Sequence, residues 1–143
     1  MSISPPWLVV VYTPGFSPIH HRCRAEISLS GHLGQRLEER RVGQWVPVAP
    51  EYEAQLEPAQ MDMLQQAVAA IDFPRLAARL RPARGASGIA IECHPPGGSL
   101  QRVEGSILSY DRGYHDFKQT FEPAQRFWKQ VYELLPHPFM KRA

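Results

Sequence analysis

The chain has 143 residues, 43% hydrophobic and 21% charged, a length and mix that suit one domain over 1–143 and exclude a collagen, a coiled-coil rod and a fully disordered chain. Its 16 basic and 14 acidic residues leave a formal charge of +2, a balance that argues against a dedicated nucleic-acid binder. The 14 prolines imply short elements and many loops. The apolar stretch Trp7–Tyr12 is too short for a secretory signal and has no basic segment before it. No run approaches the roughly 18 apolar residues of a membrane span. The expectation is a cytoplasmic chain with no membrane segment, whose Cys23 and Cys93 are reduced and bind no metal.

Trp7–Tyr12 is a continuous apolar, β-branched run between Pro5-Pro6 and Pro14-Gly15. It predicts a strand covered on both faces. Phe16–His21 reads as a loop. In Cys23–Ser30, Ala25, Ile27 and Leu29 alternate with Arg24, Glu26 and Ser28, which predicts an antiparallel strand with one wet face. Gly31–Gly34 reads as a turn. Gln35–Val42 is heavily charged and reads as an edge or exposed hairpin strand, where charge discourages further pairing. Gln44–Val48 is a short strand that Pro47 confines to an edge.

Met61, Leu64, Val68 and Ile71 recur at helical spacing and predict a helix over Pro58–Ile71. Pro58 suits the first helical position, Gln60 can reach back to the N-cap N–H, and Leu56 and Met61 are spaced for a hydrophobic staple. Pro74–Leu80 reads as a second, short helical piece with Phe73, Leu76 and Leu80 inward. Arg81–Gly88 reads as a loop and Gly88–Cys93 as a strand. After a turn at Pro95–Gly98, Leu100–Tyr110 returns as a strand with Val103 and Ile107 inward. A final helix over Pro123–Leu135 buries Phe127, Val131, Leu134 and Leu135, widened by Trp128 and Tyr132. The expected fold class is α+β: a mainly antiparallel sheet with two principal helices packed on one side. The tetrapeptide Glu-Pro-Ala-Gln opens both long helices. A duplicated ββα unit and convergent helix-start chemistry both account for it.

No P-loop, G-x-G-x-x-G, G-x-S-x-G, H-E-x-x-H or paired C-x-x-C occurs, which counts against the mainstream nucleotide enzymes and hydrolases; no cofactor is expected. His20-His21-x-Cys23 with Cys93-His94 has zinc-ligand chemistry, but its spacing fits no standard finger or ribbon. Asp111, His115 and Asp116, with Glu92 expected near on an adjacent strand, have the acid/base logic of a carboxylate orienting an imidazole. Arg75, Arg79, Arg81 and Arg84 form a positive run whose guanidiniums suit bidentate contacts to carboxylates or phosphates. Arg36 and Arg40 add charge on the predicted edge strand. Trp45, Tyr52, Tyr110, Tyr114 and Phe117 lie in or beside loops, and Tyr, Trp and Arg are the types enriched at protein–protein hot spots.

The order of strands, helix, two strands and helix resembles the small α+β immunity proteins of bacterial toxin–immunity pairs. The residues that carry the resemblance are the Ala25/Ile27/Leu29 strand, the Leu56–Phe73 helix ending in Ile-Asp-Phe-Pro, the Gly88–Glu92 strand and the closing Phe127–Leu135 helix. The resemblance implies a protein that binds and blocks a partner, a toxin, with no catalytic residue. The expected partner-binding residues are Arg36, Arg40, Trp45, Arg75, Arg79, Arg81, Arg84, Tyr110 and Tyr114. Two other readings stand beside it. One is a small enzyme with a site near Glu92, His94, Asp111 and His115; the other is a structural subunit that forms a homodimer through a sheet edge.

Overall fold

A computed structural model of the chain describes residues 6–15, 21–48, 50–80, 87–107 and 117–140. The described strands are β1 (Leu8–Thr13), β2 (His21–Ile27), β3 (His32–Arg41), β4 (Gln44–Pro47), β5 (Tyr52–Gln55), β6 (Gly88–Cys93) and β7 (Gln101–Gly105). The helices are α1 (Pro58–Ala69), α2 (Phe73–Arg79), α3 (Phe117–Thr120) and α4 (Glu122–Leu134). All seven strands join one antiparallel sheet in the order β4-β3-β2-β1-β6-β7, and β5 lies beside β4 on the same flank of β3. The α+β expectation is therefore met.

β1 lies between β2 and β6 because its side chains suit burial on both sides. Leu8, Val10 and Tyr12 face the helices, in register with Ile27, Ala25 and Cys23 on β2 and with Cys93, Ile91 and Ile89 on β6. α1 and α4 run antiparallel over that face: Ala70 lies near Pro123 at one end and Gln60 near Leu134 at the other. Leu64, Phe127 and Val131 are fully buried beneath them. At the start of α1 the Glu57 N–H donates to Gln60 Oε1 at 2.8 Å, and Leu56 and Met61 are both buried. After α4 the chain folds back, and Phe139 packs 5.3 Å from the Tyr12 ring centroid.

Four expectations change. The turn expected over Gly31–Gly34 comes earlier: it runs through Leu29 and Ser30, the Gly31 N–H donates to the Ser28 carbonyl at 3.0 Å, and His32 already opens β3. Of the two readings of Gln35–Val42, the hairpin strand holds and the edge does not: β3 pairs with β2 on one side and with β4 and β5 on the other. Its inward residues Leu33, Gln35 and Leu37 are buried; Arg36, Glu38 and Arg40 alternate with them on the other face, and Glu39 and Arg41 pair with each other at 3.0 Å beyond the buried stretch. Leu29 is 51% exposed, because β2 ends at Ile27 and the chain turns. That turn needs Gly31, with φ +91°, where a Cβ would meet the Leu56 carbonyl oxygen at 2.8 Å. Finally, β7 ends at Gly105, so Ile107 is buried from beyond the strand.

The repeated tetrapeptide has a counterpart in the sheet. β3 lies outside β2 on one flank and β7 outside β6 on the other, so the β2–β3 and β6–β7 hairpins have opposite hand. The β1–β2 and β6–β7 hairpins have the same hand: β1 and β6 are antiparallel neighbours, β2 and β7 lie outside them, and α1 and α4 run antiparallel over one face. A duplicated ββα unit and convergent helix-start chemistry both fit this arrangement.

Candidate functional site

The alternation that builds the core also decides what the other face carries. Even-numbered residues of β2 and β3 and odd-numbered residues of β1 point away from the helices. The midline of this open face is Val9 and Val11, 6% and 8% exposed. Among the described residues no helix covers them there. Arg22, Arg24, Glu92, Arg102 and Glu104 stand around them and leave a hollow of about 120 Å³, their aliphatic stems shading the valines.

On the β2–β3–β4 side, one carboxylate organises the charges. Glu38 is 7% exposed, with Arg22 Nε at 3.5 Å and Arg36 Nη2 at 3.6 Å. The Arg22 guanidinium lies 5.8 Å from the Trp45 ring centroid, a cation–π separation. Arg40 stands opposite Trp45 in the β3–β4 register. Arg24 and Arg36 are directly opposed across β2 and β3. Like charges in that position destabilise a sheet; here each has a carboxylate two residues along its own strand, Glu26 at 2.9 Å from Arg24 and Glu38 beside Arg36. On the β6–β7 side, His94 Nε2 and Glu92 Oε1 are 2.9 Å apart. Arg102 lies 2.8 Å from Glu104 and 3.8 Å from Glu92.

Of the expected partner-binding residues, Arg36, Arg40 and Trp45 come together on this face. Arg75 and Arg79 sit on α2, in the helix layer, where Arg75 donates to Gln119 Oε1 at 3.1 Å; they belong to a different surface. Arg81, Arg84, Tyr110 and Tyr114 lie outside the described residues, as do Asp111, His115 and Asp116. Glu92 and His94 do pair. Arg22, Arg24 and Glu38 were missed, although their i, i+2 spacing on two alternating strands was a signal for a shared face.

The cysteines belong to the other side of the sheet. Cys23 pairs with Tyr12 and Cys93 with Leu8, at opposite ends of β1. They are about 13 Å apart along the strand direction alone, beyond disulfide reach. Burial pushes the Cys23 thiol up from 9.0 to about 12, opposed by the Gln35 side-chain hydrogen bond. Burial also raises Cys93, opposed by a hydrogen bond with Trp7. Among the described residues, no three His, Cys, Asp or Glu side chains gather as a metal site, and no helix is long and apolar enough to cross a membrane. Compared with known proteins, the chain matches no family model and no curated protein.

Proposed function

We propose that this chain is a binding protein that engages and blocks a protein partner through the open face of its sheet, as immunity proteins block toxins. The observation that carries the reading is the Trp45–Arg22–Glu38–Arg36 cluster. Trp and Arg are the residue types that dominate binding hot spots. Here one nearly buried carboxylate holds two guanidiniums beside an aromatic ring, so less side-chain freedom is left to lose on association. The opposed Arg24 and Arg36 favour an acidic segment on the partner and steer its approach. The Glu92–His94 pair supports a second reading, a small enzyme whose acid/base site also draws on Asp111 and His115.

The test is affinity capture from the native organism with the wild-type chain and with Trp45→Ala, Arg36→Ala and Arg75→Ala variants. The partner should be retained by wild type and Arg75→Ala. Trp45→Ala should weaken binding about 30-fold or more, mainly through faster dissociation, and Arg36→Ala should slow association. A complex that survives Trp45→Ala and Arg36→Ala combined overturns the assignment of this face. Capture of no partner, with small-molecule turnover abolished by Glu92→Gln or His115→Ala, replaces the binding reading with the enzyme reading.

A further inference from the structure

The two flanks of the sheet differ in a way that bears on self-association. On the β4–β5 flank, Pro47 and Pro50 interrupt the backbone donors, a common protection against edge pairing. β7, at the other flank, contains no proline. It is hydrogen-bonded to β6, and among the described residues no further strand lies against it. Its side chains have a definite order: Gln101, Arg102, Val103, Glu104, Gly105. Val103 is buried on the helix side, while Arg102 and Glu104 are exposed on the open face.

We infer that β7 is a homodimerisation edge, pairing antiparallel with β7 of a second copy about a two-fold axis at Val103. A two-fold interface brings the same strand against itself, so its registers can be enumerated. Centred on Val103, Arg102 of each copy stands opposite Glu104 of the other, twice, on the open face. Val103 meets Val103 on the core face, and Gln101 meets Gly105. Centring on Arg102 opposes two guanidiniums, and centring on Glu104 opposes two carboxylates. A centre between two residues turns charged positions toward the core face of the partner. Opposite charges directly across an antiparallel pair stabilise it and like charges destabilise it. Centres on Gln101 or Gly105 leave most of the strand unpaired, so among the registers that pair at least three of its residues this pentapeptide selects the one at Val103. Within the monomer Arg102 already lies 2.8 Å from Glu104, so both side chains extend along the strand on the face where the cross-strand pairs form. The pairing continues the sheet, and with it the open face, from one copy into the next. The inference is independent of the partner reading above.

The experiment is the mass in solution of the full chain, by light scattering across a concentration series. Wild type should give twice the 16.2 kDa of one chain. Arg102→Glu alone and Glu104→Arg alone should each weaken the dimer about tenfold or more, because two attractive pairs become repulsive. The double variant Arg102→Glu/Glu104→Arg should recover the dimer. So should an equimolar mixture of the two single variants, in which a chain with two acidic positions meets one with two basic positions. Recovery by mixing also shows that the single variants are folded. A monomeric wild type, a dimer indifferent to the single reversals, or a mixture that stays monomeric each overturns the inference.

Discussion

The Gln35 side chain and the His137 backbone exchange two hydrogen bonds: Gln35 Nε2 donates to the His137 carbonyl at 2.8 Å, and the His137 N–H donates to Gln35 Oε1 at 3.0 Å. Gln35 is fully buried on the core side of β3. Its amide acts as a peptide group would, fastening the segment after α4 to the sheet. Beside it the Tyr52 and His137 rings stack with centroids 4.6 Å apart. Gln35→Ala leaves both His137 groups without these partners and opens a small cavity, so it should lower stability by about 2–4 kcal/mol, measured by urea unfolding. A loss under about 0.5 kcal/mol would remove the clamp from this account.

The β3–β4 hairpin turns through Val42 and Gly43, with φ of 50° and 76°, between the paired Arg41 and Gln44. Two positive φ angles in a two-residue loop favour Asn-Gly, and a β-branched residue there is strained. Val42 is fully solvent-exposed, so nothing in its packing offsets the strain. Val42→Asn should raise stability by about 1 kcal/mol, visible as a higher thermal midpoint.

The thiols set a pH dependence. The folded-state pKa of Cys23 is raised to about 12 from 9.0, so between those values the unfolded chain has lost a proton that the folded chain keeps. Stability from this group is fully present below pH 9 and falls as pH rises toward 12, by up to about 1.4 kcal/mol per pH unit. Cys23→Ala should flatten that part of the stability–pH curve. A curve with the same slope as wild type would refute the assignment.

Gln60 and Gln125 occupy the same place in the repeated tetrapeptide and do different work. Gln60 accepts from the Glu57 N–H at an exposed helix start, so Gln60→Ala should cost about 0.5–1 kcal/mol. Gln125 lies one position deeper in its helix, because the N-cap of α4 is Phe121. Its Nε2 donates to the Ile107 carbonyl at 2.9 Å. Gln125→Ala should cost about 1–3 kcal/mol, and hydrogen exchange should quicken around Ile107. Equal and small losses would mean that the Ile107 bond contributes nothing.

Leu64 is fully buried beneath the helices, so Leu64→Ala should cost about 2–5 kcal/mol through the cavity it leaves. An effect below 1 kcal/mol in chemical denaturation would contradict the packing.

Local period explains what could be read beforehand. The Met61–Leu64–Val68 spacing and the Ala25–Ile27 alternation each encode a buried face within a few residues, and both faces are buried as expected. β5 was invisible because Tyr52–Gln55 is short and carries a glutamate in its interior; its register with His32–Gln35 makes it a strand. The Arg22–Glu38–Arg36 cluster was half visible. Each strand shows its alternating charges, but bringing Arg22 opposite Glu38 requires the β2–β3 register. The Gln35 clamp was out of reach, because its partner is 102 residues away and a polar residue in a charged stretch gives no sign of burial.

β1 leaves the ribosome before the other described strands and lies in the interior of the sheet. β2 satisfies one of its edges almost at once, but the other waits for β6, which begins at Gly88. At about 5–20 residues per second of synthesis, an apolar Leu-Val-Val-Val-Tyr edge stays open for several seconds on each nascent chain. Such an edge is a template for pairing with a neighbouring chain on the same polysome. Expression yield should therefore respond more to chaperone supply and temperature during synthesis than to the stability of the finished fold.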